Sequence, residues 1–469
     1  MHLNSDVVRS HVDIENGVAG RIIFVDEDIY KHELESIFAH TWLFLGHEDQ
    51  IPNPDDYYVT RMGEEQVILT RDRQGEIHAL LNSCTHRGMK LCRYDEGNTS
   101  LFTCPYHAWS FSTDGSLVSR PGDLFGVPGY KTRYFEELDK SKWGLIAVPR
   151  IANFHGTIWG NWDPEAPSFE EYLGGMGQWL RFALESRDGR PGQGTVLAGI
   201  QKWRVKCNWK FAPTNFSGDF AHAVSHRSVD MVNIGPSGVG RRDDKFDGAS
   251  VFGWPDLGHG GTGWAGALEE DYVQPKSFQR FPEVAEWFDK CRAERRQRLR
   301  DTFHFQGKGT IFPNMSFHEE QPRTIIVAHP NGPGETEFWR YYLVDRDAPD
   351  HVKDTLRRYF MSYSGPAGLT EQDDLENWAA ATEASNGTIS RQYPYNYQQG
   401  LGHSVPYPDV PGCVWAGQPF SEQNQVIFLK RWAEFMEGRN WDQLMHRVEI
   451  PGDVEFPLAK SQTSGEESA

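Results

Sequence analysis

The chain has 469 residues, about three times the roughly 150 residues of a typical domain, which predicts more than one folding unit. Its 38% hydrophobic, 13% aromatic and 24% charged residues are typical of a globular protein and exclude a disordered, collagen-like or disulfide-stapled chain. With 66 acidic against 47 basic residues, the formal net charge of −19 disfavours nucleic acid and anionic lipid as partners. The six sparse cysteines, and the absence of an apolar stretch near the roughly 18 residues of a membrane span, predict a cytoplasmic protein outside the membrane.

The first two predicted segments differ in the spacing of their apolar residues and in their turn residues. Residues 1–40 begin polar and end in a stretch where Ile29, Leu34, Ile37 and Phe38 recur at helical spacing, which predicts one surface helix packed on the larger domain. Residues 41–155 consist of short β-type runs broken by Gly, Pro, Asn and Asp turns. This second segment is therefore predicted to be a small all-β domain.

The remainder of the chain, residues 156–459, mixes helical and strand patterns and predicts an α+β domain. Helices are expected over 283–302 and 348–363, and a buried strand over 324–328. Residues 235–263 are rich in Gly, Asp and Pro without periodicity, and we expect a long loop there. The polar residues 460–469 predict a disordered tail.

Two short motifs in the β domain carry metal-ligand spacing. Cys84 and His86 form C-x-H, and Cys104 and His107 form C-x2-H. Four such ligands can hold a tetrahedral zinc ion, or a two-iron, two-sulfide cluster with thiolates on one iron and imidazoles on the other. Because each turn mixes one cysteine with one histidine, the spacing favours the second, Rieske-type cluster and leaves zinc as the alternative. Cys92 matches no ligand position and is expected to be a buried structural thiol.

A second constellation lies in the α+β domain. Asp219, His222 and His226 stand at i, i+3 and i+7, which predicts a single stripe on an α-helix at about 100° per residue. Two histidines with a carboxylate from elsewhere form an iron(II) site with open positions for dioxygen and substrate. The acidic stretch 369–378 offers Asp373 and Asp374 as the third ligand, and spacing does not choose between them.

These motifs, in this order, resemble those of a known family. A C-x-H…C-x2-H pair followed by N-F-x-G-D-x-x-H-x3-H and a late E-Q-D-D-x-E-N-W resembles the large (α) subunit of Rieske non-haem iron aromatic-ring-hydroxylating dioxygenases over nearly the whole chain. The resemblance implies an α+β fold in which a small all-β Rieske domain is inserted near the N-terminus of a catalytic domain, itself an antiparallel sheet flanked by helices. It also implies two cofactors, one [2Fe-2S] Rieske cluster and one mononuclear Fe(II).

The resemblance also implies residue roles. The cluster would be held by Cys84, His86, Cys104 and His107, and the mononuclear iron by His222, His226 and Asp374. Asp219 would bridge electron transfer, Asn215 matches a residue near the iron, and Trp109 matches an aromatic beside the cluster. The chain departs from the family pattern at Thr214, where Glu is common, and at Ala221, where an aromatic residue is common.

The implied activity is that of a terminal oxygenase in aromatic compound catabolism. It would take electrons from NAD(P)H through a ferredoxin or ferredoxin reductase and convert an aromatic ring and dioxygen into a cis-dihydrodiol. A small β subunit and an α3β3 assembly are expected, because residues 424–438 resemble those of members with such a partner. Two alternatives stay open, a Rieske monooxygenase acting as a ring hydroxylase or demethylase, and a non-catalytic zinc protein.

One further motif is discounted. Residues 258–263 read G-H-G-G-T-G and satisfy G-x-G-x-x-G, but they follow W-P-D-L rather than a hydrophobic strand. The sequence therefore does not predict a dinucleotide-binding loop here.

Overall fold

The computed structural model describes residues 5–118, 126–232, 234, 249–267, 278–299, 303–319, 322–408 and 410–448. The chain divides into two compact units, a smaller one of Glu27–Phe169 with His329–Asn331, and a larger one of Met1–Asp26, Glu170–Ala328 and Gly332–Ala469. The predicted α+β class, with a β domain inserted near the N-terminus, is confirmed. The predicted tail lies outside the described residues. No helix in the described part of the chain combines the length and hydropathy needed to cross a membrane.

The N-terminal boundary differs from the expected one. The larger unit begins with α1 (Ser5–His11), β1 (Val12–Asp13), β2 (Val18–Gly20) and a 3-10 helix, Arg21–Phe24. The smaller unit then starts at α2 (Glu27–Glu33), which continues as a π-helical turn, Leu34–Phe38. The predicted helix is therefore present but belongs to the smaller unit, because Tyr30 donates a hydrogen bond to Glu64 and Phe38 packs against Gly63.

The smaller unit is built from antiparallel strands, and its elements are β3 (Leu43–His47), β4 (Asp56–Met62), β5 (Glu65–Arg71), β6 (Ile77–Leu81), β7 (Glu96–Asn98), β8 (Leu101–Thr103), β9 (Ser110–Ser112), α3 (Tyr130–Arg133), β10 (Arg150–Phe154) and β11 (Thr157–Asn161), with 3-10 turns at Glu48–Gln50 and Lys140–Lys142. The strands form sheets in the orders β6-β5-β4-β7, β10-β11-β3 and β8-β9. One core cluster buries Ile68, Leu80 and Phe111 together with Cys84 and Cys104, so the first motif pair lies at the edge of a packed core.

In the larger unit, helices surround one long sheet. The helices are α4 (Phe169–Leu173), α5 (Met176–Leu184), α6 (Phe211–Gly218), α7 (Arg227–Met231), α8 (Pro282–Leu299), α9 (Asp350–Ser364), α10 (Leu369–Ser385), α11 (Gln423–Met436) and α12 (Trp441–Met445), with 3-10 turns at Ala221–His226, Phe278–Arg280 and Ser390–Gln392. The strands are β12 (Thr195–Val205), β13 (Ser250–Trp254), β14 (His259–Ala267), β15 (Phe303–Ile311), β16 (Met315–His318), β17 (Thr324–Pro330), β18 (Thr336–Asp345), β19 (Pro394–Asn396), β20 (Val405–Pro406) and β21 (Val414–Trp415).

The long sheet runs β12-β18-β17-β16-β15-β14-β13-β21-β20. Its central pairs β14–β15, β15–β16 and β16–β17 are antiparallel, and so is the outer pair β12–β18. Helix α8, helix α9 and strand β17 agree with the predicted helices and strand to within a few residues. The sheet places β14, β15 and β16 beneath α6, the helix that precedes the second constellation.

The predicted loop over 235–263 is wrong where the structure describes it. Residues 250–267 form the hairpin β13–β14, and residues 235–248 lie outside the described residues. The glycines serve close packing, because a Cβ atom on Gly253 would lie 2.4 Å from both Asn424 and Ile427 of α11. A Cβ on Gly260 would lie 2.7 Å from Asn424. The G-x-G-x-x-G segment thus forms a turn and a strand in contact with a helix.

Candidate metal centres

The two cysteine turns of the smaller unit share one backbone geometry. The N–H of Gly88 donates to the carbonyl of Cys84 at 2.8 Å, and the N–H of Ala108 donates to that of Cys104 at 2.9 Å. Each cysteine N–H in turn donates to the carbonyl five residues further on, at 2.9 and 2.7 Å. Gly88 and Ala108 both have left-handed backbones, with φ of 71° and 57°. The two turns therefore present their cysteines in the same way.

The four predicted ligands come together between these turns. Cys84 and Cys104 are 2% exposed and close enough for a contact between their sulfur atoms. The rings of His86 and His107 meet edge to face with centroids 4.6 Å apart. Their Nδ1 atoms are buried and have no hydrogen-bond partner among the described residues. Buried imidazole nitrogens without partners are costly in an empty protein, so this donor set fits a bound two-iron cluster.

Aromatic side chains enclose this centre. Trp109 stacks on His86 with centroids 4.7 Å apart and an angle of 10°, and Trp143 meets Trp109 edge to face. The hydroxyl of Thr85 donates to the Trp143 carbonyl at 2.8 Å, which ties the first turn to the segment that follows α3. These contacts shield one histidine face from water and hold its orientation.

Asn82 and Cys92 are hydrogen-bonded to each other next to the first cysteine turn. The Asn82 side chain accepts the N–H groups of Leu91 and Cys92 and donates to the Cys92 carbonyl at 2.8 Å. Burial raises the pKa of Cys92 to about 12, which keeps the thiol protonated and apart from the ligand set. Sequence reasoning had no role for Asn82, although its place two residues before the first ligand marks it as a turn residue.

In the larger unit, His222, His226 and Asp374 converge on one point. The Nε2 atoms of the two histidines lie 3.0 Å apart. Asp374 Oδ1 lies 3.4 Å from the first and 3.2 Å from the second. His226 and Asp374 are buried, and Asp374 Oδ1 has no hydrogen-bond partner among the described residues. Three ligand atoms of this chemistry at such separations fit a single iron(II) ion.

The structure separates the two candidate aspartates, which sequence spacing did not rank. Asp373 points to the outer side of His226, where its Oδ2 lies 3.2 Å from Nδ1 and accepts a hydrogen bond from Ser228. Asp374 is the residue whose carboxylate reaches both Nε2 atoms. Neighbouring positions on α10 thus face opposite ends of one imidazole.

The predicted α-helical stripe through Asp219 is wrong. Helix α6 ends at Gly218, Asp219 is extended with φ −89° and ψ 95°, and the histidines lie on the 3-10 turn Ala221–His226. The helix stops because Asp219 forms an isolated antiparallel bridge with Phe420, which draws its backbone out of the helix. The ligand atoms therefore meet through the turn and α10 rather than along one helix face.

Asp219 contacts His222 directly. Its carboxylate accepts the His222 N–H at 3.1 Å and lies 3.6 Å from Nδ1. Burial acts to raise the pKa of Asp219, but the hydrogen bond and charge of His222 and the charge of Lys308 outweigh it and lower this pKa. The pKa of Asp374 is lowered in the same way, against the effect of burial, by the two histidines and Lys308. Both carboxylates are therefore ionised at neutral pH.

Asn215 and Glu371 lie around this centre. Asn215 is buried on α6, its carbonyl accepts the Asp219 N–H at 3.2 Å, and its Nδ2 has no partner among the described residues. Glu371, one turn before Asp374 on α10, accepts a hydrogen bond from Arg340 of β18 at 2.5 Å. Burial raises the pKa of Glu371 to about 7, although Arg340 opposes that shift. Sequence reasoning missed this pair because nothing local connects residue 371 to residue 340.

Comparison with known proteins agrees with both centres. The Rieske [2Fe-2S] domain family matches residues 41–125, and the catalytic domain of the ring hydroxylating alpha subunit family matches residues 178–437. The biphenyl dioxygenase subunit alpha of Metapseudomonas furukawaii is 34% identical over 461 residues, covering 94% of this chain and 95% of its own. The benzene 1,2-dioxygenase subunit alpha of Pseudomonas putida is 34% identical over 441 residues, covering 91% and 93%.

Solved structures show the same relationship. Naphthalene 1,2-dioxygenase with indole bound in the active site superposes with a TM-score of 0.80 at 29% identity, covering 95% of this chain and 98% of the other. The Rhodococcus sp. naphthalene 1,2-dioxygenase bound to indole gives 0.75 at 32%, covering 94% and 100%. A quaternary ammonium Rieske monooxygenase, at 17% identity and a TM-score of 0.61, covering 91% of this chain and 99% of its own, shares the fold alone.

The chain belongs to the family of ring-hydroxylating dioxygenase alpha subunits. It is an oxidoreductase of the aromatic dioxygenase type, and its cofactors are a Rieske [2Fe-2S] cluster and a mononuclear iron. The prediction of a Rieske cluster rather than a zinc ion is thereby confirmed.

Proposed function

We propose that this chain is the oxygenase component that converts an arene to a cis-dihydrodiol with electrons from NAD(P)H, delivered by a ferredoxin or ferredoxin reductase. The observation that carries the proposal is the meeting of His222, His226 and Asp374 at one point, with Asp219 against the outer nitrogen of His222. The relatives named biphenyl dioxygenase subunit alpha and benzene 1,2-dioxygenase subunit alpha align with more than nine-tenths of this chain. An arene is therefore the substrate class to test first.

The proposed ligands follow from the atoms that converge. Cys84 and Cys104 would hold one iron of the cluster by their thiolates, and His86 and His107 the other by Nδ1. His222 and His226 would hold the mononuclear iron by Nε2, together with the carboxylate of Asp374. When bound, the cluster supplies single electrons and the iron supplies a binding position for dioxygen.

Two outer carboxylates would orient the iron-binding histidines. Asp219 lies 3.6 Å from Nδ1 of His222, and Asp373 lies 3.2 Å from Nδ1 of His226. A carboxylate at that position favours the tautomer with its proton on Nδ1 and leaves Nε2 free for the metal. We propose that Asp219 also links His222 to the incoming electrons, and that the buried amide of Asn215 donates a hydrogen bond to a molecule bound beside α6.

A small β subunit and an α3β3 assembly remain part of this proposal. Their support is membership of a family of α subunits. Helix α11 offers no separate support, because most of its side chains, Phe428 and Trp432 among them, are buried inside the larger unit. A native mass of the active enzyme tests the assembly, and a mass of α chains alone would contradict it.

The test of the activity is a single turnover of the chemically reduced protein under isotopically labelled dioxygen, with aromatic acids and unsubstituted arenes as substrates. Two labelled oxygen atoms in one product are expected for cis-dihydroxylation. One labelled atom would instead establish a monooxygenase, the alternative reaction on the same ligand set. Absence of product from every arene, in protein with full metal content, would contradict both.

A further inference from the structure

Helix α10 carries three buried side chains on one stripe. Glu371, Asp374 and Trp378 stand at i, i+3 and i+7, and all three are buried. At about 100° per residue, they lie within about 60° of one another around the helix axis. The proposed iron ligand Asp374 therefore lies between the other two on the same face of α10.

The two outer side chains of this stripe meet a single strand, β18. Arg340 donates a hydrogen bond to Oε2 of Glu371 at 2.5 Å. The ring of Phe338 lies against that of Trp378, with centroids 5.5 Å apart. Because alternate residues of a strand point to the same face, Arg340 and Phe338 present one face of β18 to α10. The helix is thus joined to the sheet one turn before Asp374 and one turn after it.

Arg340 is itself fixed inside the larger unit. Its side chain is 1% exposed, and its Nη1 donates to the hydroxyl of Thr324 on β17 at 3.2 Å. Its guanidinium also lies 5.8 Å from the ring centroid of Phe216 on α6. Glu371 therefore binds a cation whose position is set by β17, β18 and α6.

The ion pair restricts α10 more narrowly than the aromatic contact does. Aromatic pairs are favourable over a range of ring separations, so the contact between Trp378 and Phe338 tolerates small movements of the helix. A hydrogen bond weakens steeply once its angle departs from the favoured range, and burying either charge without the other is costly. The bond between Arg340 and Glu371 therefore fixes the rotation and the height of the first turn of α10.

We propose that Glu371 is a positioning residue for the mononuclear iron, because its bond to Arg340 holds α10 where the Asp374 carboxylate reaches both histidines. Asp374 Oδ1 lies 3.4 Å from Nε2 of His222 and 3.2 Å from Nε2 of His226, so a small rotation of α10 would lengthen one of these distances. This inference rests on the proposed iron ligands and adds a residue that acts through Asp374.

The test is the affinity of the mononuclear site for ferrous ion, measured anaerobically by equilibrium dialysis of enzyme that keeps its Rieske cluster but has lost its mononuclear iron. Glu371→Ala removes both the charge and the bond to Arg340, and about 100-fold weaker binding is expected. Glu371→Gln removes the same charge but keeps an acceptor oxygen, so it should bind about 10-fold more tightly than Glu371→Ala. Arg340→Lys keeps the cation but loses the planar fork that joins Glu371 to Thr324, and about 10-fold weaker binding than in the wild type is expected.

Asp345 supplies the matched control for a loss of stability alone. It lies on the same strand as Arg340 and is a buried carboxylate bound by Arg187 at 2.9 Å and by Arg323 at 3.1 Å. Asp345→Ala and Asp345→Asn should lower the free energy of unfolding, as the Glu371 variants do. They should leave the affinity for ferrous ion unchanged at a temperature at which every variant is folded. Denaturant unfolding of the same preparations measures the stability.

The outcomes separate this inference from the proposed iron ligands. Weaker binding of ferrous ion in Glu371→Ala and Arg340→Lys, partial recovery in Glu371→Gln and wild-type binding in the Asp345 variants support it. Wild-type affinity in Arg340→Lys overturns it, also where Glu371→Ala does not fold. Equal losses in Glu371→Ala and Glu371→Gln overturn it as well, since charge alone would then be the cause, and so do equal losses in the Asp345 variants. Retention of iron by Asp374→Ala would instead contradict the ligand set itself.

Discussion

The Nε2 atoms of His222 and His226 lie 3.0 Å apart, and both lie within 3.4 Å of the same oxygen of Asp374. Hydrogen bonds alone satisfy these three atoms poorly, because two ring nitrogens and one carboxylate oxygen meet at a single point. A divalent cation satisfies all three at once. The folded chain therefore holds these side chains in the arrangement that a metal ion requires.

Asp374→Ala is expected to abolish binding of the mononuclear iron and to leave the Rieske cluster in place. Asp373→Asn is the matched control, since Asp373 contacts Nδ1 of His226 on its outer side. Iron and acid-labile sulfide are measured on both variants, with the visible spectrum as the readout of the cluster. Equal loss of iron from both variants would contradict the assignment of Asp374.

Asp219→Asn should keep both metal centres and slow electron delivery. The amide lacks the negative charge that favours a proton on Nδ1 of His222, 3.6 Å away. Loss of a carboxylate that contacts a metal-binding histidine from its outer side typically lowers metal affinity or activity about 10- to 100-fold. The measurement is the rate at which the reduced cluster is reoxidised when substrate and dioxygen are added, and a wild-type rate would refute the proposed role.

Cys92→Ala is expected to retain the cluster, whereas Cys84→Ala should lose it. Burial raises the pKa of Cys92 to about 12, so at pH 8 its thiol should also resist alkylation in the folded protein. Visible absorption reports the cluster, and mass spectrometry after iodoacetamide treatment reports the thiol. Rapid labelling of Cys92 at pH 8 would argue against a purely structural thiol. Loss of the cluster's visible absorption in Cys92→Ala would argue against it as well.

Gly88→Ala and Ala108→Gly test the two equivalent turns in opposite directions. Both positions are left-handed, and a Cβ on Gly88 would meet only Ser83 Oγ, at 3.9 Å. Gly88→Ala should therefore lower the free energy of unfolding by about 1 kcal/mol through backbone strain, and Ala108→Gly should not lower it. Thermal unfolding of the metal-loaded protein measures both. A larger loss in Ala108→Gly than in Gly88→Ala would contradict the equivalence of the turns.

Gly253→Ala tests the packing of α11 on the β13–β14 hairpin. The new methyl group would lie 2.4 Å from Asn424 and Ile427, and overpacking of this kind costs about 1–3 kcal/mol of unfolding free energy. Gly334→Ala is the control, because a Cβ there has no described heavy atom within 4 Å. Denaturant unfolding measures the free energy of unfolding of both variants. Equal values for Gly253→Ala and Gly334→Ala would mean that α11 can move away from the hairpin at little cost.

Spacing along the chain was sufficient for the cysteine and histidine motifs. Each half of the first centre is a short turn, so Cys84 with His86, and Cys104 with His107, are brought together by local geometry. The same holds for His222 and His226, which belong to a single turn. For these pairs, chain connectivity limits the side chains to one neighbourhood before any tertiary contact forms.

The third iron ligand and the surroundings of the site depended on the folded chain. Asp373 and Asp374 are adjacent in sequence, and only the orientation of α10 against the 3-10 turn distinguishes them. The pair Arg340–Glu371 and the approach of Lys308 to Phe220 join residues from separate strands and helices. Local pattern carries no information about such contacts, because they are set by how strands pair and helices pack across long stretches of chain.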